Sequence, residues 1–163
     1  MTTGRTVGKY FKLQIEDSGG TMRDIPVTTA GGVGITYDEV DLTALQDALK
    51  GVLAGQGNAS VTITGPFDNT AAQAASASGA AAALSGSHTV LQPLNGGQTG
   101  RSAGFYIGIQ GYWATGDPVF GGIDSFIVTD YTVDMATGMY SSKIAYKAGA
   151  TAPAWGTTAI TAS

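Results

Sequence analysis

Apolar and polar residues alternate along much of this chain, and the alternation predicts strands. In Lys9 to Glu16, Phe11, Leu13 and Ile15 oppose Tyr10, Lys12, Gln14 and Glu16, the period of a half-buried strand. Asp17-Ser18-Gly19-Gly20 follows as a turn, because glycine accepts positive φ. Thr21 to Val27 then reads as the return strand of a hairpin. Pro26, which has no N–H, belongs at its end or on an edge. Thr28 to Gly34, with Gly31, Gly32 and Gly34, predicts a flexible loop. Ile35 to Asp41 alternates again and predicts a strand with one wet face.

The period then changes. Leu42, Leu45, Leu49, Val52 and Leu53 recur at three- and four-residue steps, which predicts a short helix over Asp41 to Leu53. Asp41 or Thr43 would cap it and Gly55 would end it, with a β-run as the alternative. Ala59 to Gly65 returns to strand, with Val61 and Ile63 inward. Gly65 to Thr70 reads as a turn and a helix start. Residues 71–83 hold nine alanines and suit a helix or a loop.

Thr89 to Leu94 predicts a short strand, and Asn95-Gly96-Gly97 breaks the chain. Phe105, Ile107 and Ile109 alternate from Gly104 onward. Asp117-Pro118 and Gly121-Gly122 punctuate the next stretch. Ile123 to Met135 and Met139 to Ala148 are β-prone runs joined by an Ala136-Thr137-Gly138 turn. The tail beyond Gly149 is small and polar, with Trp155 and Ile160 as its anchors. About eight short strands without a βαβ rhythm predict a mainly β fold: an antiparallel β-sandwich or open barrel with one or two short helices. Residues 1–163 read as one domain with flexible N- and C-terminal arms.

Composition adds a reason to expect assembly. Charged residues make up 12% of the chain, about half the usual share of roughly 25%. The 25 glycines are about twice the average usage of roughly 7%. Such a surface has little charge to keep neighbours apart, which favours burial between subunits. The net charge of −4 and the scatter of the eight basic residues argue against a DNA-binding stripe. Cysteine is absent, so disulfides, thiolate metal sites and a cysteine nucleophile are excluded. The N-terminal sixteen residues carry no signal-peptide core, and the longest apolar run, Ala80 to Leu84, is far below a membrane span.

Catalytic chemistry finds little to work with. His88 is the one histidine, and no Gly-x-Ser-x-Gly elbow frames a nucleophile. Asp38, Glu39 and Asp41 cluster without the spacing of a calcium loop and read as a solvated acidic edge. Gly31-Gly32-Val33-Gly34 has no following Lys-Ser/Thr, so it is not a phosphate loop. Tyr106, Tyr112 and Trp113 lack the basic neighbours of a base-stacking platform. No catalytic residue, cofactor or metal is expected.

Several features in order resemble the major tail tube proteins of long-tailed, siphovirus-type bacteriophages. Asp17, Gly19 and Gly20 form the first hairpin turn, and Arg23-Asp24-Ile25 looks like the family's segment after it. Asp41-Leu42-Thr43 is similar to the family's Asp-Val-Thr. The end of the Val61 strand, Gly65-Pro66-Phe67-Asp68, is similar to its Gly-x-Trp-Asp, with Phe67 for Trp and a less expected Pro66 at the variable position. The likeness covers residues 5 to 70, and beyond them it is one of style.

That resemblance implies a virion structural subunit without enzymatic activity, assembled in the host cytoplasm. Six copies would form a ring, and rings would stack into a hollow tube. Thr28, Thr29, Gly31, Gly32, Val33, Gly34 and Tyr37 would stack one ring on the next. The implied partners are further copies, the tape-measure, tail-tip and terminator proteins, and double-stranded DNA in passage, without a membrane anchor. A capsid decoration protein, a baseplate or tail-completion subunit, and a carbohydrate-binding β-sandwich using Trp113 and Trp155 are the alternatives.

Overall fold

The computed structural model describes residues 11–44, 49, 51–71, 83–108 and 112–163. Most of them belong to one nine-stranded, mainly antiparallel sheet. Its strands in chain order are β1 (Phe11–Glu16), β2 (Met22–Ile25), β3 (Thr29–Ala30), β6 (Ser60–Pro66), β7 (Ala83–Leu84), β8 (Arg101–Ile107), β9 (Val119–Asp134), β10 (Met139–Tyr146) and β11 (Ala154–Gly156). A separate two-stranded sheet consists of β4 (Thr36–Asp41) and β5 (Val52–Asn58). The one helix among the described residues is α1 (Ser87–Leu94).

The main sheet runs in the order β3-β6-β10-β9-β8-β1-β2-β7, with β11 beside β9. Its β3 end is joined by the chain to β2, the strand next to the other end, through only Pro26, Val27 and Thr28. A link of that length spans at most roughly 14 Å between Ile25 and Thr29. The sheet must therefore curl until β2 meets β6. Two bonds fasten the seam: the Thr28 N–H donates to Thr64 O at 2.8 Å, and the Tyr140 hydroxyl donates to Pro26 O at 2.8 Å. Gly65 lies directly under this crossing. A Cβ there would stand 2.4 Å from Pro26 O and 2.8 Å from the Tyr140 ring. The expected open barrel is thus closed by a three-residue strap.

One core fills the interior. Leu13 and Ile15 of β1, Val61 and Ile63 of β6, Phe105 of β8, Phe120, Phe126 and Val128 of β9, and Tyr140 and Ile144 of β10 are all buried in it. Alternation holds along β6 and β10 because their outer faces are wet. It fails along β1 and β8. Leu13 to Glu16 and Ser102 to Tyr106 are buried at every position. The half-buried reading of β1 is corrected here: its polar face is covered by charged partners and by the C-terminal segment. The Ile160 N–H donates to the Tyr106 hydroxyl at 2.9 Å, and the Ser163 N–H donates to Glu16 Oε2 at 3.3 Å.

Four further expectations are corrected. Thr28 to Gly34 is not a free loop, since β3 pairs with β6 and the Gly31 N–H donates to Thr62 O at 2.8 Å. Asp41 to Leu53 is not one helix. Asp41 ends β4 and Val52 and Leu53 open β5, with Val40 opposite Leu53 and Asp41 opposite Val52. The three- and four-residue spacing arises because two strand ends flank a tip; residues 45–48 and 50 of that tip lie outside the described residues. Gly55 sits inside β5 rather than ending a helix.

Thr89 to Leu94 is helix rather than strand. Ser87, Val90, Leu91 and Leu94 are its buried residues, a spacing of three, four and seven, and the short apolar run hid that period. Gly121-Gly122 lies within β9 instead of interrupting it. A Cβ at Gly121 would meet Ala103 O at 2.3 Å, so glycine lets β8 and β9 approach. The expected alanine-rich helix falls mostly on residues 72–82, outside the described residues.

Candidate assembly surface

The residues singled out in the sequence fall into three places. The first is the β1–β2 turn. Asp17 Oδ1 accepts the Gly19 N–H at 2.8 Å and the Thr21 N–H at 3.0 Å, and Gly20 closes the turn at φ +83°. Arg23 Nε donates to Asp17 Oδ2 at 2.7 Å with both side chains largely buried. Burial alone would raise the Asp17 carboxyl. The bonds from Thr21, Arg23 and Gly19, with the Arg23 charge, outweigh it and hold the group below its ordinary 3.8. Beside it, Arg101 Nη1 donates to Asp17 O at 3.0 Å and stands 3.7 Å from Glu16 Oε1. Asp24, on the opposite face of β2, pairs with Lys12 at 3.3 Å. This end of the barrel is a structural brace.

The second place is the end of β6. Phe67 packs on His88 with ring centroids 4.9 Å apart, and His88 Nδ1 lies 3.0 Å from the Tyr131 hydroxyl. The histidine is thus engaged between two aromatic rings. Hydrogen bonds from the Thr70 hydroxyl and N–H hold the Asp68 carboxyl below its ordinary value. The His88 N–H donates to Asp68 O at 2.8 Å, so this turn also caps α1. Among the described residues no group of three acidic or histidine side chains is arranged to hold a metal ion.

The third place is the β4–β5 hairpin, a two-stranded sheet separate from the main one. All six residues of β4 are exposed and β5 is exposed at six of seven. Val40 and Leu53 sit opposite each other on one face, and Val52 lies on the other face beside Asp41. Tyr37, Leu42 and Leu49 are exposed too, with Leu49 84% open at the tip. The neck is built from the resemblance's own residues. Asp41 Oδ1 accepts the Thr43 N–H at 2.9 Å, and the Gly51 N–H donates to the Thr43 hydroxyl at 2.8 Å. Asp38, Glu39 and Asp41 give β4 a negative charge.

A two-stranded ribbon has little stability of its own, and apolar residues on both faces of one mark an interaction site. The sequence indicated Tyr37, the acidic edge and the strand that carries Val40, but it missed Leu42, Leu49, Val52 and Leu53 as exposed residues, because it read them as the core face of a helix. The residues expected to form the stacking loop are divided. Thr28 and Thr29 are bonded to β6, where the Thr29 and Thr64 hydroxyls also meet, and Gly31 is bonded there too. Val33 packs on the core, and Gly34 lies against the Trp155 indole. Only Tyr37 stands on the projecting hairpin.

No protein-family model and no curated protein matches this sequence. Solved structures do match, across nearly the full chain. A chain of the anti-feeding prophage baseplate aligns with a TM-score of 0.56 at 10% identity, covering 95% of this chain and 97% of that one. A chain of the sheath/tube terminator of the PVC extracellular contractile injection system, in its extended state, aligns at 0.52 and 8%, covering 93% and 96%. A chain of the tube-terminating cap of the anti-feeding prophage aligns at 0.51 and 10%, covering 94% and 92%. The β fold described above is therefore also found in chains of an extracellular contractile injection system and of the anti-feeding prophage.

Proposed function

We propose that this chain is a non-enzymatic structural subunit of a phage-tail-like particle, which assembles with copies of itself into rings that stack as a tail tube. The observation that carries this reading is the β4–β5 hairpin: an exposed ribbon, apolar on both faces, projecting from a closed barrel. A two-stranded ribbon with uncovered Val40, Val52 and Leu53 gains most by packing against another subunit. The shared fold of the tube-associated chains supports the same reading.

In finer terms, the sequence motifs around Arg23, Asp41 and Phe67 favour the tube of a long-tailed phage built from hexameric rings. The chain then acts as one tube-type domain, and its partners are further copies and the tape-measure, tail-tip and terminator proteins. The acidic balance fits a channel through which DNA slides without sticking. The tube would act within the virion after assembly in the host cytoplasm.

Negative-stain electron microscopy of the purified chain over a concentration series tests this. Hollow tubes or stacked rings of uniform diameter are expected. A monomer that fails to polymerise even on added tail-tip complex would sink the reading. A second reading, a terminator subunit that closes a tube, is favoured by the likeness to the terminator and cap chains. It predicts single rings that never extend.

A further inference from the structure

We propose that the outer face of β1, β8 and β9 is a peptide-binding site. In the single chain its own residues 157–163 fill the site as a clasp. Once the clasp lets go, the same segment of a second copy takes its place. The exchange between copies rests on the self-assembly reading; the site itself does not.

The register of three strands builds the site. Gln14 of β1 lies opposite Gly104 of β8, and Gly104 lies opposite Gly121 of β9. Side chains alternate along a strand, so Gln14, Glu16, Tyr106 and the two glycines share the face turned away from Leu13, Ile15 and Phe105 of the core. The glycine pair leaves a trough. The Tyr106 ring lies over Gly104, where a Cβ would stand 2.7 Å from it. Ile160 lies on Gly121, where a Cβ would stand 2.9 Å from Ile160 Cγ1.

Two polar anchors complete the site. The Tyr106 hydroxyl accepts the Ile160 N–H at 2.9 Å. Glu16 Oε2 accepts the Ser163 N–H at 3.3 Å, and Glu16 Oε1 accepts the Ser163 hydroxyl at 3.2 Å. With the clasp in place Tyr106 is 2% exposed and Glu16 3%. The barrel holds both anchors by other bonds as well. The Trp113 ring packs edge-on against Tyr106 with centroids 4.8 Å apart. The Ser102 N–H donates to Glu16 Oε2 at 3.2 Å, and Arg101 Nη1 stands 3.7 Å from Glu16 Oε1. What fits is a peptide with a branched aliphatic side chain for the trough and, three residues on, a hydroxyl for the carboxylate.

The clasp can leave without opening the core. None of residues 157–163 belongs to the core cluster, five of the seven are exposed, and they form no strand. A segment with so few buried contacts opens locally while the rest stays folded. The same segment of a second copy carries the same groups and satisfies the same anchors. Exchange of an identical element is a low-cost route between protomers. The chain from Gly156 to Ile160 reaches at most roughly 14 Å, so the donating copy lies directly against this face.

Three measurements on the full chain test this. The first is amide hydrogen exchange. Ile160 and Ser163 are expected to exchange about a hundredfold faster than Ile15 and Phe105, and equal rates would overturn the clasp. The second adds a synthetic peptide of residues 157–163 to isotope-labelled Ile160→Asp, in which the clasp is loosened. Amide shifts at Glu16, Ser102 and Tyr106 are expected, and none when the peptide carries the same change. Absence of shifts with the native peptide would reject the site. An Ile160→Asp chain that unfolds would also overturn the proposal, since the clasp would then be part of the fold.

The third detects exchange between copies. The chain has no cysteine, so Thr161→Cys at an exposed position takes a single nitroxide label. This copy is mixed with isotope-labelled wild type and read in solution or, once tubes sediment, by magic-angle spinning. Loss of the Glu16 and Ser102 amide peaks is expected, with recovery when the nitroxide copy also carries Ile160→Asp. Tubes without that loss would remove the exchange and leave the self-assembly reading standing. Loss without rings or tubes would keep the exchange and remove that reading.

Discussion

Arg23 Nε donates to Asp17 Oδ2 across the first hairpin, at 2.7 Å, with both side chains largely shielded from water. The bond ties the residue that shapes the turn to the strand that leaves it. Asp17 Oδ1 meanwhile holds the Gly19 and Thr21 N–H groups. Turn, register and charge pairing are therefore one unit, and the fold depends on it as a unit.

The Asp17 carboxyl is held below its ordinary 3.8 in the folded state. A depressed carboxylate contributes stability that is fully present above the ordinary value and is lost as pH falls through the folded value. Thermal melting followed from pH 6 down to pH 2 is expected to fall most steeply below the ordinary value. Asp17→Asn is expected to start less stable and to show a shallower acid limb. An equally steep limb in that variant would mean other carboxylates carry the acid sensitivity. Arg23→Met, which strands the Asp17 charge, is expected to cost about 1–3 kcal/mol.

Gly65 under the Pro26 strap makes a second prediction. A methyl group at that position meets backbone oxygen on one side and the buried Tyr140 ring on the other. Gly65→Ala is expected to destabilise by about 2–3 kcal/mol, since neither neighbour yields easily. Urea unfolding monitored by circular dichroism checks it. A midpoint unchanged from wild type would show that the strap is free to move.

Tyr140 offers a test at the other end of the pH scale. Its hydroxyl donates to Pro26 O, and burial followed by the Tyr131 neighbour raises its ionisation well above the ordinary 10.0. Burial raises Tyr106 and Tyr131 as well. A raised phenol keeps its contribution below the unfolded value and loses it as pH climbs toward the folded one. Absorbance titration of the seven tyrosines is expected to show a late fraction that appears only with unfolding. Tyr140→Phe is expected to cost about 1 kcal/mol at neutral pH and to soften the alkaline loss.

The assembly role proposed for the hairpin can be tested apart from folding. Val40, Val52 and Leu53 touch little of the barrel, so Leu53→Asp is expected to change the stability of the monomer by no more than about 0.5 kcal/mol. The same change is expected to abolish ring or tube formation, because it places a charge in an apolar contact beside Asp38, Glu39 and Asp41. Melting curves and electron micrographs of the one variant decide it. Tubes that still form at the wild-type concentration would remove the hairpin from the contact.

Much of this molecule was written in local pattern. The β1–β2 hairpin followed from Phe11, Leu13 and Ile15 with Asp17 to Gly20, because alternation and turn chemistry act over a few residues. The same holds for β6 with Val61 and Ile63, and for β9 and β10 about Gly138. The Arg23 motif was visible as a resemblance, though not its bond to Asp17.

Tertiary structure decided the rest. Whether leucines at three- and four-residue steps face a core or solvent depends on what lies opposite, so Leu42 to Leu53 read as a helix and proved to flank a ribbon tip. The apolar run at Val90 and Leu91 carries the same ambiguity. It became α1 because the Asp68 turn caps its start and Leu94 reaches the core. Closure of the barrel was also beyond the sequence. It arises where Pro26 crosses Gly65, residues 39 positions apart that nothing local connects. Local spacing sets which strands and turns can form; only the packing of distant strands decides which apolar faces are buried and which are left uncovered.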